Sequence, residues 1–204
     1  MDGEGMTSTY DSSPNDIDEA YGEILDPTGI AAGAGPTGTP APAVASRPRS
    51  LDGLTVGLLE NTKHHAAYLL DQLGDALLAR YGVQDLVRAT KHDFGQPMPE
   101  EMLTSFVSSC DVMIIGIGDC GACSASAVAD GIEFEREGIP AAVICSDAYR
   151  VTASAMAGVQ GMADYEYLTT RHPVAILERS EVNVRAAQLL PQVLSMLTDQ
   201  GRTP

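Results

Sequence analysis

Cys120 and Cys123, separated by Gly121 and Ala122, carry the sharpest chemical signal in the chain. Cysteines three apart can close a small disulfide, and a glycine between them lets the backbone turn. The pair stands just ahead of a stretch expected to be helical from Ser124 to Glu137. Amides at a helix N-terminus favour a thiolate and lower its pKa. Cys120 is then the more exposed, attacking sulfur and Cys123 the resolving one. Lys63, if it reaches this place, adds a positive charge that favours the same thiolate. The plain alternative is two packed cysteines in a tight strand–helix turn.

Other polar residues surround this signal. Asp119 precedes the first cysteine and suits either a helix cap or acid–base work. Ser124 and Ser126 can donate to an anion or point to solvent. Asp147 follows an apolar run and precedes a helix, where capping is the ordinary role. His172 stands before Pro173 and can move protons near neutral pH. His64 and His65 start a helix, with Lys63 beside them. Asn61, Gly118, Gly121, Ser124, Ser146 and Asp147 are the expected substrate-binding positions. A zinc site from Cys120, Cys123, Cys145 and His172 is a weaker reading, since only one paired cysteine cluster is present. Gly116-Ile117-Gly118-Asp119-Cys120-Gly121 has the spacing of a dinucleotide fingerprint. That fingerprint belongs after the first strand, and the acidic residue expected after it, Asp147, is poorly spaced. No cofactor is therefore expected, although an external thiol reductant fits.

Short apolar runs alternate with amphipathic stretches, and these must position the polar residues. Leu54–Leu59, Gln84–Thr90, Asp111–Ile117, Pro140–Cys145 and Tyr165–Thr169 read as strands. Ala66–Arg80, Pro99–Val107, Ser124–Glu137, Ala148–Val159 and Ser180–Leu197 read as helices, the last weakened by Pro191. Five apolar strands alternating with helices predict an α/β three-layer sandwich with a mostly parallel, doubly wound sheet. The expected strand order is the flavodoxin-like 2-1-3-4-5. In such sheets ligands bind beyond the carboxyl ends of the strands. That edge collects Lys63, Asp119, Cys120, Cys123, Asp147 and His172.

Residues 1–50 read as an acidic, Pro/Gly/Ala-rich arm, disordered or extended, and 51–204 as the folded domain. Segment 31–48, AAGAGPTGTPAPAVASRP, has little that repays ordering entropy. One island, Ile24–Gly29, is either a turn or a short docking segment. Lys and Arg number 12 against 28 Asp and Glu, for a net charge of -16. That balance disfavours nucleic-acid binding and adsorption to anionic membranes. The acidic N-terminus lacks the apolar core of a secretory signal, and no stretch is long enough to span a bilayer. A cytoplasmic protein acting on a small molecule is expected.

The segment Cys110-Asp111 through Gly118-Asp119-Cys120-Gly121-Ala122-Cys123-Ser124 resembles the UGSC family, named for a Sec/Cys-Gly-Ser-Cys signature after a central strand. Leu25–Gly29, Gly57–Lys63, Glu133–Pro140, Cys145–Tyr149 and His172-Pro173 are similar to it in the same order. The resemblance implies that Cys120 stands where some relatives carry selenocysteine, and so implies thiol chemistry there with Cys123 as partner. Ala122 departs from the family's Ser and removes a hydroxyl donor. Thr62, His64 and His65 also depart from the residues expected after the first strand. A cysteine-dependent oxidoreductase is the leading expectation. A non-redox lyase, hydratase or transferase with Cys120 as covalent nucleophile is the second. A partner subunit is the third, pairing as a homodimer or with a related UGSC-like chain.

Overall fold

The computed structural model describes residues 44–199; the Ile24–Gly29 island lies outside them. The elements in chain order are β1 (Thr55–Glu60), α1 (Ala66–Arg80), β2 (Asp85–Thr90), α2 (Glu100–Ser109), β3 (Val112–Gly118), α3 (Gly121–Arg136), β4 (Ala141–Ser146), α4 (Arg150–Val159), β5 (Leu168–Thr170) and α5 (Arg179–Leu197). All neighbouring strands are parallel, in the order β2-β1-β3-β4-β5. This is the expected flavodoxin-like sheet. Among the described residues no helix is long and apolar enough to cross a membrane.

Strand residues alternate between two cores because successive side chains leave opposite faces of a strand. Val56, Leu58, Val112, Ile114, Ala142 and Ile144 pack with residues of α1 and α5. Leu59, Met113, Ile115, Ala141, Val143 and Cys145 pack with α2, α3 and α4 on the other face. Both faces are therefore covered, and β3 and β4 are buried along their whole length. Pro191 does not break α5, which runs through it. Val182, Ala186, Leu189, Leu190 and Val193 hold that helix to the core on both sides of the proline.

The β3–β4 register shifts between Gly116 and Gly118. Beyond Ile115 the alternation changes phase, so Ile117 joins the α1/α5 core rather than the opposite one. Irregularities of this kind re-aim side chains next to functional edges.

Most element ends fall within one or two residues of the sequence reading, and three differences have a local cause. Helix α3 starts at Gly121, not Ser124, because the Cys120 sulfur accepts the Cys123 amide and opens the helix earlier. A single 3-10 turn at Asp147–Tyr149 precedes α4, so that helix begins at Arg150. Strand β5 is only three residues long. Tyr165 is instead buried among the α3 and β4 side chains, and the Tyr167 hydroxyl bonds Ser154 and the Arg150 carbonyl. Both tyrosines hold the chain away from the ladder.

The arm also ends earlier than Ser50. Arg47 forms a bidentate pair with Glu135, at 2.6 and 2.7 Å, and donates to the Met196 carbonyl. The Ala45 amide bonds the same carboxylate, and the Asp199 amide bonds the Pro48 carbonyl. The Glu135 side chain is fully buried, so its charge depends on Arg47. Breaking a buried pair from one side leaves an uncompensated charge. Arg47→Met should therefore lower the stability of the full chain by about 3 kcal/mol or more in urea unfolding. An unchanged midpoint would show that this segment does not support the fold.

Candidate functional site

The carboxyl ends of the strands meet at one rim, and the β3–α3 turn lies at its centre. Cys120 and Cys123 are joined as a disulfide there. Cys120 is the N-cap of α3 and its sulfur accepts the Cys123 amide at 3.1 Å. Cys120 is half-buried, whereas Cys123 is fully buried. The N-cap is Cys120 itself, so Asp119 does not cap the helix.

Asp119 does something else. Its side chain is 1% exposed and both oxygens are fully engaged. Oδ1 accepts from the Ser146 hydroxyl and from His172 Nδ1 at 3.0 Å. Oδ2 accepts from the amides of Val174 and Ala175, at 3.1 and 2.9 Å. An ionised carboxylate only accepts, so the His172 proton sits on Nδ1 and leaves Nε2 unprotonated in the neutral ring. The His172 ring is also held by Tyr149, edge-on at 5.2 Å, and its backbone amide bonds Asp147 Oδ1 at 2.9 Å. The His172–Pro173 peptide is cis. The result is an oriented Asp–His pair whose carboxylate is the chain neighbour of Cys120.

Several expected substrate ligands turn out to hold the protein together. Asn61 pairs its amide with both backbone polar groups of Ile117, at 3.0 and 3.1 Å, and is buried. Ser124 is fully buried and bonds the carbonyls of Cys120 and Gly121 and the Thr152 hydroxyl. Ser126 faces neither anion nor solvent: it bonds the Gln96 carbonyl and Lys91. Ser146 is spent on Asp119, and Asp147 on His172 rather than on a helix cap. Gly118 is where it is for space. A Cβ there would lie 2.7 Å from both the Cys145 sulfur and the Ser124 Cα. Gly121 opens α3 with only ordinary contact to Thr152. Lys63 does not bond the Cys120 sulfur; its ammonium stands 5.5 Å from the centre of the Phe94 ring. His64 and His65 bond the carbonyls of Ala175 and Leu177, tying β1 to the β5–α5 loop.

The Cys120, Cys123, Cys145, His172 set does not assemble as a metal site. Two of the sulfurs are bonded to each other, and Cys145 lies wholly buried behind Gly118. Among the described residues no group of three or more His, Cys, Asp or Glu is arranged to hold a metal.

Two residues near the rim escaped the sequence reading. Lys91 and Asp130 form a buried ion pair between the end of β2 and the middle of α3. Burial pushes the Asp130 carboxyl up, while Lys91 and the Met98 amide pull it back down. The available signal was Ser126 and Asp130, four apart on one face of an otherwise apolar helical stretch. A charge in that setting requires a partner.

A family model described as the UGSC family matches residues 23–199. No curated protein matches the sequence. Among solved structures, the flavodoxin-like domain of a Synechococcus protein is 12% identical. The alignment covers 68% of this chain and 97% of that one, with a TM-score of 0.35.

The two remaining cysteines differ chemically from the pair. Burial pushes the Cys145 thiol up to about 12, and burial also raises Cys110. A raised thiol pKa means that the reactive thiolate is scarce at lower pH. In the reduced, folded chain at about pH 8, iodoacetamide should therefore label Cys120 while Cys110 and Cys145 stay unlabelled until the chain is unfolded. Peptide mass mapping reads this directly. Labelling of Cys145 as fast as Cys120 would contradict the burial argument.

Proposed function

The chain belongs to the UGSC family, and on that premise we propose that it is a thiol-dependent enzyme, most simply a thiol–disulfide oxidoreductase. The observation that carries this reading is the Cys120–Cys123 disulfide at the α3 N-terminus, directly following the Asp119 that orients His172. Once the disulfide is opened, the Cys123 amide and the helix terminus favour a thiolate at Cys120. His172 Nε2 is the base that takes the Cys120 proton and returns it to a leaving thiol. Asp119 is a positioning residue: it holds the tautomer and the ring.

The electron balance is simple. The Cys120 thiolate attacks one sulfur of a disulfide RSSR, forms Cys120–S–SR and expels RS⁻. Cys123 then attacks the Cys120 sulfur, closes the protein disulfide and expels the second RS⁻. RSSR gains two electrons and becomes two thiols, and the protein loses two. An external dithiol resets the pair.

A second reading keeps Cys120 and His172 but omits the redox step. The oriented Asp–His pair beside a cysteine also suits covalent catalysis on a non-disulfide substrate. Cys123 separates the two readings.

With 2-hydroxyethyl disulfide as probe, the reduced Cys123→Ser chain should accumulate one mixed disulfide at Cys120, and Cys120→Ser should form none. His172→Asn should slow adduct formation near neutral pH by about a hundredfold. Equal adduct formation in Cys120→Ser would defeat the redox reading. A Cys123→Ser chain that turns the probe over as fast as the parent would show that Cys123 does not resolve the adduct, and would defeat the two-cysteine scheme.

A further inference from the structure

The turn between β4 and α4 touches the Asp119–His172 pair at three places. Ser146 donates its hydroxyl to Asp119 Oδ1. Asp147 Oδ1 accepts the His172 backbone amide at 2.9 Å. Tyr149 stands edge-on to the His172 ring, with centres 5.2 Å apart and planes at 84°. One short turn therefore contacts the carboxylate, the backbone and the ring of the pair.

The same turn is fastened to the cysteines. The Thr152 hydroxyl, in the first turn of α4, donates to the Tyr149 carbonyl at 2.9 Å and lies 2.9 Å from the Ser124 hydroxyl. Ser124 in turn bonds the carbonyls of Cys120 and Gly121, at 2.7 and 3.1 Å. Tyr149 thus reaches the histidine through its ring and the cysteine turn through its carbonyl.

Asp119 by itself does not aim His172. It fixes one ring atom, Nδ1, at 3.0 Å. The χ2 torsion of a histidine is broad, and a ring held at one atom still swings about that bond. The His172 side chain is 35% exposed, so water on its open side sets no direction. Asp147 fixes where the side chain starts, and the Tyr149 ring blocks the swing. Together these contacts set the direction of Nε2, the atom that takes the Cys120 proton in the scheme above.

We infer that Tyr149 is a positioning residue for His172: its ring, rather than its hydroxyl, sets the direction of Nε2, and Thr152 holds it in register with the cysteine turn. The effect on rate rests on the thiol reading above. The effect on the ring does not, because it concerns only how His172 is held.

The test uses the reduced full-length chain carrying Cys123→Ser, with 2-hydroxyethyl disulfide as probe and mixed-disulfide formation at Cys120 as the rate. Tyr149→Leu keeps apolar bulk and removes the ring. It should slow the adduct about three- to tenfold, the range an edge-on aromatic pair carries. Tyr149→Phe keeps the ring and should bring the rate back to within about twofold of the parent. In a His172→Asn background Tyr149→Leu should cost nothing further, because a residue acting through the histidine has no effect once the histidine is gone. Thr152→Val should behave as Tyr149→Leu in both backgrounds, and carries the test if the tyrosine variant does not fold. Nitrogen NMR of His172, recorded above the range in which an imidazole titrates, reads the ring directly. The parent should show one ring state protonated at Nδ1, and Tyr149→Leu a mixture of tautomers. A Tyr149→Leu chain as fast as the parent while His172→Asn is slow, a ring signature unmoved by Tyr149→Leu, or a loss of equal size in the His172→Asn background would each overturn the inference. If His172→Asn itself leaves the rate unchanged, the acid–base step of the thiol reading fails, and the NMR comparison alone decides whether Tyr149 positions the ring.

Discussion

The rim is organised by one buried carboxylate. Asp119 accepts four hydrogen bonds from two parts of the chain: the end of β4 through Ser146, and the β5–α5 loop through the His172 ring and the amides of Val174 and Ala175. A carboxylate this deeply buried is costly unless its oxygens are satisfied. The four donors are thus required by the charge as much as the charge is required by them. Cys120 is covalently next in line, so the same interaction that fixes the β5–α5 loop also fixes the start of α3. Loss of any donor would loosen the histidine and the cysteine turn together.

Helix α3 extends this arrangement to the opposite wall. Its first residue follows the capping sulfur, and two turns further on Ser126 and Asp130 grip the β2–α2 loop. Such a helix must be buried on nearly every side, which explains its small residues. Gly131 shows the constraint most sharply. A Cβ there would lie 2.3 Å from a Val143 methyl and 2.5 Å from the Tyr165 hydroxyl. The Arg47–Glu135 pair closes the other end of the helix. Polar anchors at three levels of one helix therefore tie the chemistry to the core.

The order of the elements was legible because apolar runs and amphipathic stretches differ in period, and both kinds are well separated here. Of the common doubly wound orders the flavodoxin-like one was expected, and it is the one observed. That Asp119, Ser146 and His172 meet at one rim followed from the convergence of loops at the carboxyl edge. What stayed hidden was pairing at a distance. Asn61, Ser124 and Ser146 look like ligands in sequence because they are polar and stand at strand ends, yet each is consumed by a backbone or carboxylate partner that only the fold brings near. Arg47 lies in a run of Pro, Ala and Thr, and nothing local marks it as the counterion of Glu135, 88 residues away. The register shift after Gly116 likewise has no one-letter signature, although it moves Ile117 into the α1/α5 core.

On the proposed reading, Cys120 and Cys123 exchange two electrons reversibly at this rim. The most direct measurement is to equilibrate the full chain in glutathione buffers of graded potential, quench with acid and iodoacetamide, and map the peptides by mass. The expected result is a single two-electron transition confined to the Cys120–Cys123 peptide and identical from either direction, with Cys110 and Cys145 remaining thiols throughout. A pair that never forms the disulfide under oxidising buffer, or that oxidises irreversibly, would contradict it.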